Sequence, residues 1–343
     1  MEYLNYPDFV HSIFDSFYFT NDTIKMIKYL LAISVFITAC NKTNSKQDFN
    51  NSSETPSTSL VILGNVQDAG SPQIGCEKKC CTNLFQKSNE NRKVVSLGLI
   101  DQKNQKTYLF DATPDISSQM KILTKSTKLN NAELSDGIFL THAHIGHYTG
   151  LMYLGKEATD AQNMPVYVMP RMGTFLSSNG PWDQLVERKN IALQQMTPNE
   201  SISLSDSISV TPILVPHRDE YSETVGFRIK GPNKSALFIP DIDKWEKWDR
   251  NVIEEIKQVD YAFLDATFFS GEEINNRDIS HIPHPFVIES LEKFKELSIS
   301  EKNKIVFIHF NHTNPLLDEG SRESNYVIQQ GYNIGRIYDH FEM

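Results

Sequence analysis

The stretch "THAHIGHYTG", Thr141–Gly150, sets three histidines, His142, His144 and His147, within six residues. It follows "DGIFL", an apolar run that reads as a buried strand. On an extended chain, residues i and i+2 share a face, so His142 and His144 can point the same way. Gly146 would then let the chain turn and return His147 to the same point. Imidazole is a strong ligand for zinc and similar ions. A lone histidine at a strand end is more often structural or exposed, but three at this spacing point to a metal.

Three more residues end strands in the same manner. His217 closes "ILVPH", Asp241 follows "ALFIP", and His309 closes "VFIH". Each comes after an apolar run and before a turn, which is how a sheet presents ligands along one edge. Individually they are weak signals that gain weight from the histidine cluster.

The pattern outward from this cluster predicts one domain over residues 60–343. "LVILG" reads as a first strand, and "VVSLGLID" with "KTYLFDAT" as a hairpin. "DISSQMKILTKS" has helical spacing of Ile116, Met120 and Leu123. "ISVTPILVPH", "TVGFRIKG" and "SALFIPDID" read as three successive strands. "DYAFLDAT" and "KIVFIHFNH" follow as strands, with amphipathic helices before and between them. "NIGRIYD" reads as the closing strand. The expectation is an α+β domain of mixed sheets flanked by helices.

Of the 343 residues, 39% are hydrophobic and 22% charged, an ordinary balance with ample material for a core. The net charge of -10 argues against non-specific nucleic-acid binding, which needs a basic surface. The N-terminal part reads differently from the domain. From Met26, Lys28 is followed by a short apolar run and then "ITAC", ending at Cys40. The run is shorter than the about 20 residues a membrane span needs, and its layout is that of a secretory signal. "ITAC" resembles a bacterial lipobox, which implies lipidation of Cys40, export, and anchoring in the cell envelope facing the periplasm or exterior. Residues 41–59, rich in Asn, Ser and Thr, read as a flexible tether. Residues 1–25 precede the signal and read as an extension, with Met26 a second candidate start.

"THAHIGHYTG" resembles the first metal motif of the metallo-β-lactamase superfamily, H-x-H-x-D-H, and His217, Asp241 and His309 follow in that superfamily's order. "LGNVQDAGSPQIGCEKKCC", "DATPDIS" and "IHFNHTNPLLDE" resemble the branch that contains pyrroloquinoline-quinone biosynthesis protein B and the phosphonate-pathway cyclic phosphodiesterase. The resemblance covers residues 60–343. It implies an αββα four-layer sandwich with a metal site at one edge of the sheets. By the same resemblance His142, His144 and His217 would hold a first ion, Asp241 would bridge, and His147 with His309 would hold a second. The departure is Gly146, where the superfamily usually has the Asp that ligates the second ion and orients water. Asp241 is therefore the candidate to position the water, and His281, in "DISHIPHP" with His284, the candidate to contact substrate. His281 and His284 could equally be solvated groups of a loop before a helix.

The implied chemistry is hydrolysis by a metal-bound hydroxide, since a bound metal can lower the pKa of water from 15.7 to about 7. The implied substrate is a small phosphodiester or other ester-like molecule. Zinc is the expected ion, one or two per chain, and histidine and carboxylate donors also accept Fe or Mn. Asp111 and Asp265, which also follow strands, are expected to cap turns. His312 and Asn314 are candidates to steady His309 or to form a turn. Cys76, Cys80 and Cys81 are candidates for a structural metal, although adjacent Cys80 and Cys81 are an awkward pair for one ion. Two other roles stay open: one in quinone-cofactor synthesis, although that protein usually lacks the full histidine motif, and one as a metal-binding protein without turnover.

Overall fold

Among the described residues, fourteen strands form two sheets whose backbone directions repeat one another. The structure is a computed structural model and describes residues 57–126, 133–274 and 278–343. The signal, Cys40 and nearly all of the expected tether lie outside those residues. The first strand is Thr58–Gly64, two residues longer at its start than the apolar run read from the sequence.

The first sheet has the order β14-β1-β2-β3-β4-β5-β6. Its strands are β1 (Thr58–Gly64), β2 (Ser96–Asp101), β3 (Lys106–Phe110), β4 (Gly137–Phe139), β5 (Met164–Val168), β6 (Ile191–Gln195) and β14 (His340–Glu342). The second has the order β13-β12-β11-β10-β9-β8-β7. Its strands are β7 (Ile202–Ser203), β8 (Ser209–Leu214), β9 (Val225–Lys230), β10 (Ser235–Ile239), β11 (Tyr261–Asp265), β12 (Ile305–Ile308) and β13 (Asn333–Ile334). Antiparallel pairing joins β14-β1-β2-β3 and β7-β8-β9-β10; parallel pairing joins β3-β4-β5-β6 and β10-β11-β12-β13. The expected closing strand is therefore short, and the chain goes on to pair β14 with β1 in the other sheet.

Strand alternation explains the layers. In β12, Val306 and Ile308 join the core between the sheets, while Ile305 and Phe307 join the core beneath the outer helices. Phe263 of β11 and Phe238 of β10 face inward; Leu264 and Leu237 face outward. Because both faces of these strands are covered, they read as continuous apolar runs. The sheets meet through aromatic rings: Phe110 lies 5.4 Å from Phe227 and 6.0 Å from Phe238, and Phe139 lies 5.7 Å from Phe227. Each such buried side chain stabilises the fold by about 1.5–3 kcal/mol relative to exposure. The helix Val287–Phe294 covers the second sheet through Val287 and Phe294. The helix Ile116–Lys125 covers the first through Ile116, Met120 and Leu123.

These pairings fix where the site is. β1 and β3 flank β2 and run the same way, as do β8 and β10 around β9. The C-terminal ends of β1, β3 and β4 in one sheet, and of β8, β10, β11 and β12 in the other, therefore each gather at one edge. Ligands in open sheets with parallel strands collect at such carboxyl ends. Among the described residues, no helix is long and apolar enough to cross a membrane.

Candidate metal centre

The histidine motif departs from the expected extended strand. β4 stops at Phe139, His144 is the last extended residue (ψ 149), and Ile145–Tyr148 form one helical turn. Gly146 lies inside that turn rather than breaking it. The turn is tied to the loop after β3, where Ala112 N donates to His147 O (2.8 Å) and Gly150 N donates to Ala112 O (2.8 Å). Across the sheets, Val225 N donates to Thr141 O (3.1 Å) and Ala143 N donates to Ser222 Oγ (2.8 Å). The motif is thus clamped between both sheets.

All six ligands expected from the sequence converge. One donor atom from each of His142, His144, His217 and Asp241 lies within 4.8 Å of the others, and the same holds for Asp68, His147, Asp241 and His309. Asp241 belongs to both groups. Its Oδ2 is 3.4 Å from His142 Nε2 and 3.3 Å from His217 Nε2 on one side. On the other it is 3.9 Å from Nε2 of both His147 and His309. Its Oδ1 faces His284 Nδ1 at 3.2 Å. Imidazoles on every side match the bridging place that the resemblance implies for Asp241.

Two residues read as turn caps also fix the rings, and Asp265 does cap its turn by accepting from Thr267 N (2.9 Å). Asp111 accepts from Thr141 N (2.8 Å), Thr141 Oγ1 (2.9 Å) and His147 Nδ1 (2.8 Å). Asp265 accepts from His284 Nδ1 (2.9 Å) and Thr267 Oγ1 (2.7 Å), and the Thr267 hydroxyl accepts from His309 Nδ1 (2.8 Å). Engaging Nδ1 leaves Nε2 of His147 and His309 facing the centre, the arrangement that orients metal-binding histidines. Asp111 (φ 68) and His309 (φ 65) both adopt the left-handed backbone just past a strand, a costly conformation that collects at functional sites.

One sequence candidate lies outside the centre, and one residue of the centre was not among the candidates. His281 is not in the centre: its ring is 83% exposed and sits 3.6 Å from Asp278. The histidine of that loop that reaches the centre is His284, grouped with Asp241, Asp265 and His309. Asp68 stands in the loop after β1, inside the stretch "LGNVQDAGSPQIGCEKKCC", which the sequence marks as a family resemblance without assigning Asp68 a role. Its Oδ1 lies 3.0 Å from His147 Nε2 and 3.3 Å from His309 Nε2.

The charge pattern fits a cation. Burial raises the Asp241 carboxyl, but His217, His284 and His309 outweigh it and hold the group well below the usual carboxylate range. Burial likewise opposes ionisation of Asp68, and His147 and His309 overcome it. Burial lowers His284 and His309, yet Asp265 and Asp241 push His284 up to about 10, and Asp241, Asp265 and Asp68 push His309 up to about 9. Burial and the neighbouring His147 hold His142 neutral. His142 Nε2 and Asp241 Oδ1 are buried with no well-directed hydrogen bond beyond the ion-pair contacts at 3.4 Å and 3.2 Å. Buried polar atoms are normally paired, so these point to a ligand. At the mouth, His144 Nε2 is 3.2 Å from Glu220 Oε2 and 3.5 Å from Arg218 Nη2.

A separate group gathers the cysteines. Cys80 Sγ is 3.9 Å from both Cys76 Sγ and Cys81 Sγ, and His312 Nδ1 is 3.3 Å from Cys81 Sγ and 3.6 Å from Cys80 Sγ. Adjacent Cys80 and Cys81 therefore do reach one point, at the start of the helix Lys79–Gln86. Burial and Cys81 push the Cys80 thiol up to about 12, which a bound cation would reverse. Three sulfurs and one imidazole are a structural zinc donor set. His312 thus serves this group rather than His309. Asn314 forms the turn, accepting from Leu316 N (2.9 Å) and donating to Ala266 O (2.8 Å).

A family model described as a beta-lactamase superfamily domain matches residues 106–310. Coenzyme PQQ synthesis protein B of Methylorubrum extorquens (strain PA1) is 25% identical over 308 residues, covering 80% of this chain and 96% of that protein. The crystal structure of Zn(2+)-bound PqqB from Methylobacterium extorquens matches with a TM-score of 0.67 at 22% identity, over 83% of this chain and 100% of that one. A diphosphatase of the PhnP family matches with a TM-score of 0.60 at 21% identity, over 83% of this chain and 97% of that one. At these identities the two structures establish the fold.

Proposed function

This chain belongs to the metallo-β-lactamase superfamily, and from that premise we propose that it is a metal-dependent hydrolase of a small phosphodiester or other ester-like substrate. The observation that carries this reading is the pair of donor groups on either side of Asp241. One or two divalent ions, with zinc first among the candidates, would supply Lewis acidity and an activated water when bound. His142, His144, His217 and Asp241 would hold one, and His147, His309 and Asp241 the other. Asp111 and the Asp265–Thr267 pair keep the rings in the tautomer that presents Nε2. His284, held by Asp265 beside Asp241, is the group placed to hold a proton near the reacting bond. Arg218 at the mouth offers a cation to an anionic substrate.

The test is turnover of bis(p-nitrophenyl) phosphate, a cyclic phosphodiester and carboxylic esters by full-length protein, metal-free and then loaded with Zn, Mn or Fe. Metal-dependent turnover that His142→Ala abolishes supports the reading. Full metal loading with no turnover of any substrate favours a binding protein instead.

A second reading is a role in quinone-cofactor synthesis, supported by the match to coenzyme PQQ synthesis protein B along most of both chains. Restored cofactor production in a strain lacking that protein would favour it. We also propose that Cys40 carries lipid and anchors the chain in the cell envelope. This rests on the sequence alone, and mass spectrometry of the membrane fraction tests it.

A further inference from the structure

Gly146 and Asp68 occupy one place between them. A Cβ on Gly146 would lie 2.5 Å from Asp68 Cα, 2.8 Å from its Cβ and 2.9 Å from its Cγ. Side-chain atoms do not approach so closely in a packed interior, so a side chain at 146 and the Asp68 loop exclude each other. The loop is not free to move aside. Gln67 N donates to Phe310 O (2.8 Å), Phe310 N donates to Asn65 O (2.8 Å), and Val95 N donates to Val66 O (2.8 Å). The residues leading to Asp68 are therefore bonded to the backbone immediately past His309. The carboxylate they deliver has Oδ1 3.0 Å from Nε2 of His147 and 3.3 Å from Nε2 of His309, the nitrogens that face the centre. Those rings already spend Nδ1 on Asp111 and Thr267, so Asp68 is not needed to orient them.

We infer that Asp68 is the carboxylate ligand of the second metal ion, delivered from the loop after β1 in place of a side chain at position 146. The inference deepens the reading of the site as a metal centre and rests on it. A carboxylate beside two imidazoles and Asp241 completes a hard, anionic donor set suited to Zn, Mn or Fe. Gly146 is then the condition for the second site, since it makes room for the ligand.

Full-length protein stripped of metal is titrated with Co(II), with bound metal measured by elemental analysis and the histidine-site and thiolate-site bands followed by visible absorption. Wild type is compared with Asp68→Asn, Asp68→Ala and His142→Ala. Asparagine keeps the shape and can still accept from an imidazole, so a structural role survives it, whereas a ligand role needs the charge. We expect wild type to bind two ions outside the cysteine group. Both Asp68 variants should keep the first ion and bind the second about a hundredfold more weakly or worse. Two ions held at wild-type affinity in both variants would overturn the inference and leave the metal centre standing. One ion in wild type that His142→Ala removes and Asp68→Asn retains would do the same. No metal at the histidines in wild type would overturn the metal centre and this inference together.

Discussion

Asp111 Oδ2 lies 2.8 Å from His147 Nδ1, with both side chains fully buried. Asp111→Asn preserves volume and tolerates the left-handed backbone at this position. It replaces an acceptor that fixes the tautomer with an amide that can turn either way. Loss of such an outer partner typically costs 10–100-fold in metal affinity. We expect a loss in that range for the second ion, with the far-ultraviolet circular dichroism spectrum unchanged; a Co(II) titration measures it.

His281 and His284 separate an exposed group from one in the centre. His281→Ala should leave kcat/KM essentially unchanged, since its exposed ring lies outside the donor groups. His284→Ala should lower kcat by about a hundredfold or more if its proton is used, the usual contribution of a positioned acid or base. Equal, small effects of the two substitutions on phosphodiester turnover would remove His284 from the reaction.

Gly146→Ala should destabilise the protein by about 1–3 kcal/mol, the usual cost of forcing atoms into a packed region. Gly146→Asp restores the superfamily's usual residue but should be worse than alanine, because it must push the Asp68 backbone aside. Thermal unfolding reads the stability, and elemental analysis reads the second ion that both variants should lose. A Gly146→Asp variant as stable as wild type with both ions would refute the exclusion.

Cys81→Ser and His312→Ala should each lower the zinc content by one and leave the histidine-site ions in place. Strong chelation should lower the melting temperature further than His142→Ala does, because a structural zinc contributes its binding energy to folding. A variant with unchanged zinc content and stability would leave the cysteine group without a metal.

The sequence by itself marked most of the strands and singled out six candidate donors, which the fold brings together. A strand covered on both faces must be apolar throughout, so "ALFIP" and "VFIH" announce themselves, and the polar residue that ends each is conspicuous. His142, His144 and His147 were legible because they are close in sequence. His217, Asp241 and His309 were legible because parallel strands end at a common edge. What is near only in space could not be read in this way. Asp68 meets His309 through a loop bonded to residues more than two hundred positions away, and the "LGNVQDAG" pattern around it does not tell that its carboxylate reaches the histidines. His312 joins Cys80 and Cys81 across a similar separation. The choice of His284 over His281 depends on which side of a short loop faces Asp265. Gly146 is the clearest case. In sequence it is a missing ligand, and in the fold it is the space that Asp68 fills, because excluded volume is a property of packed atoms and not of residue order.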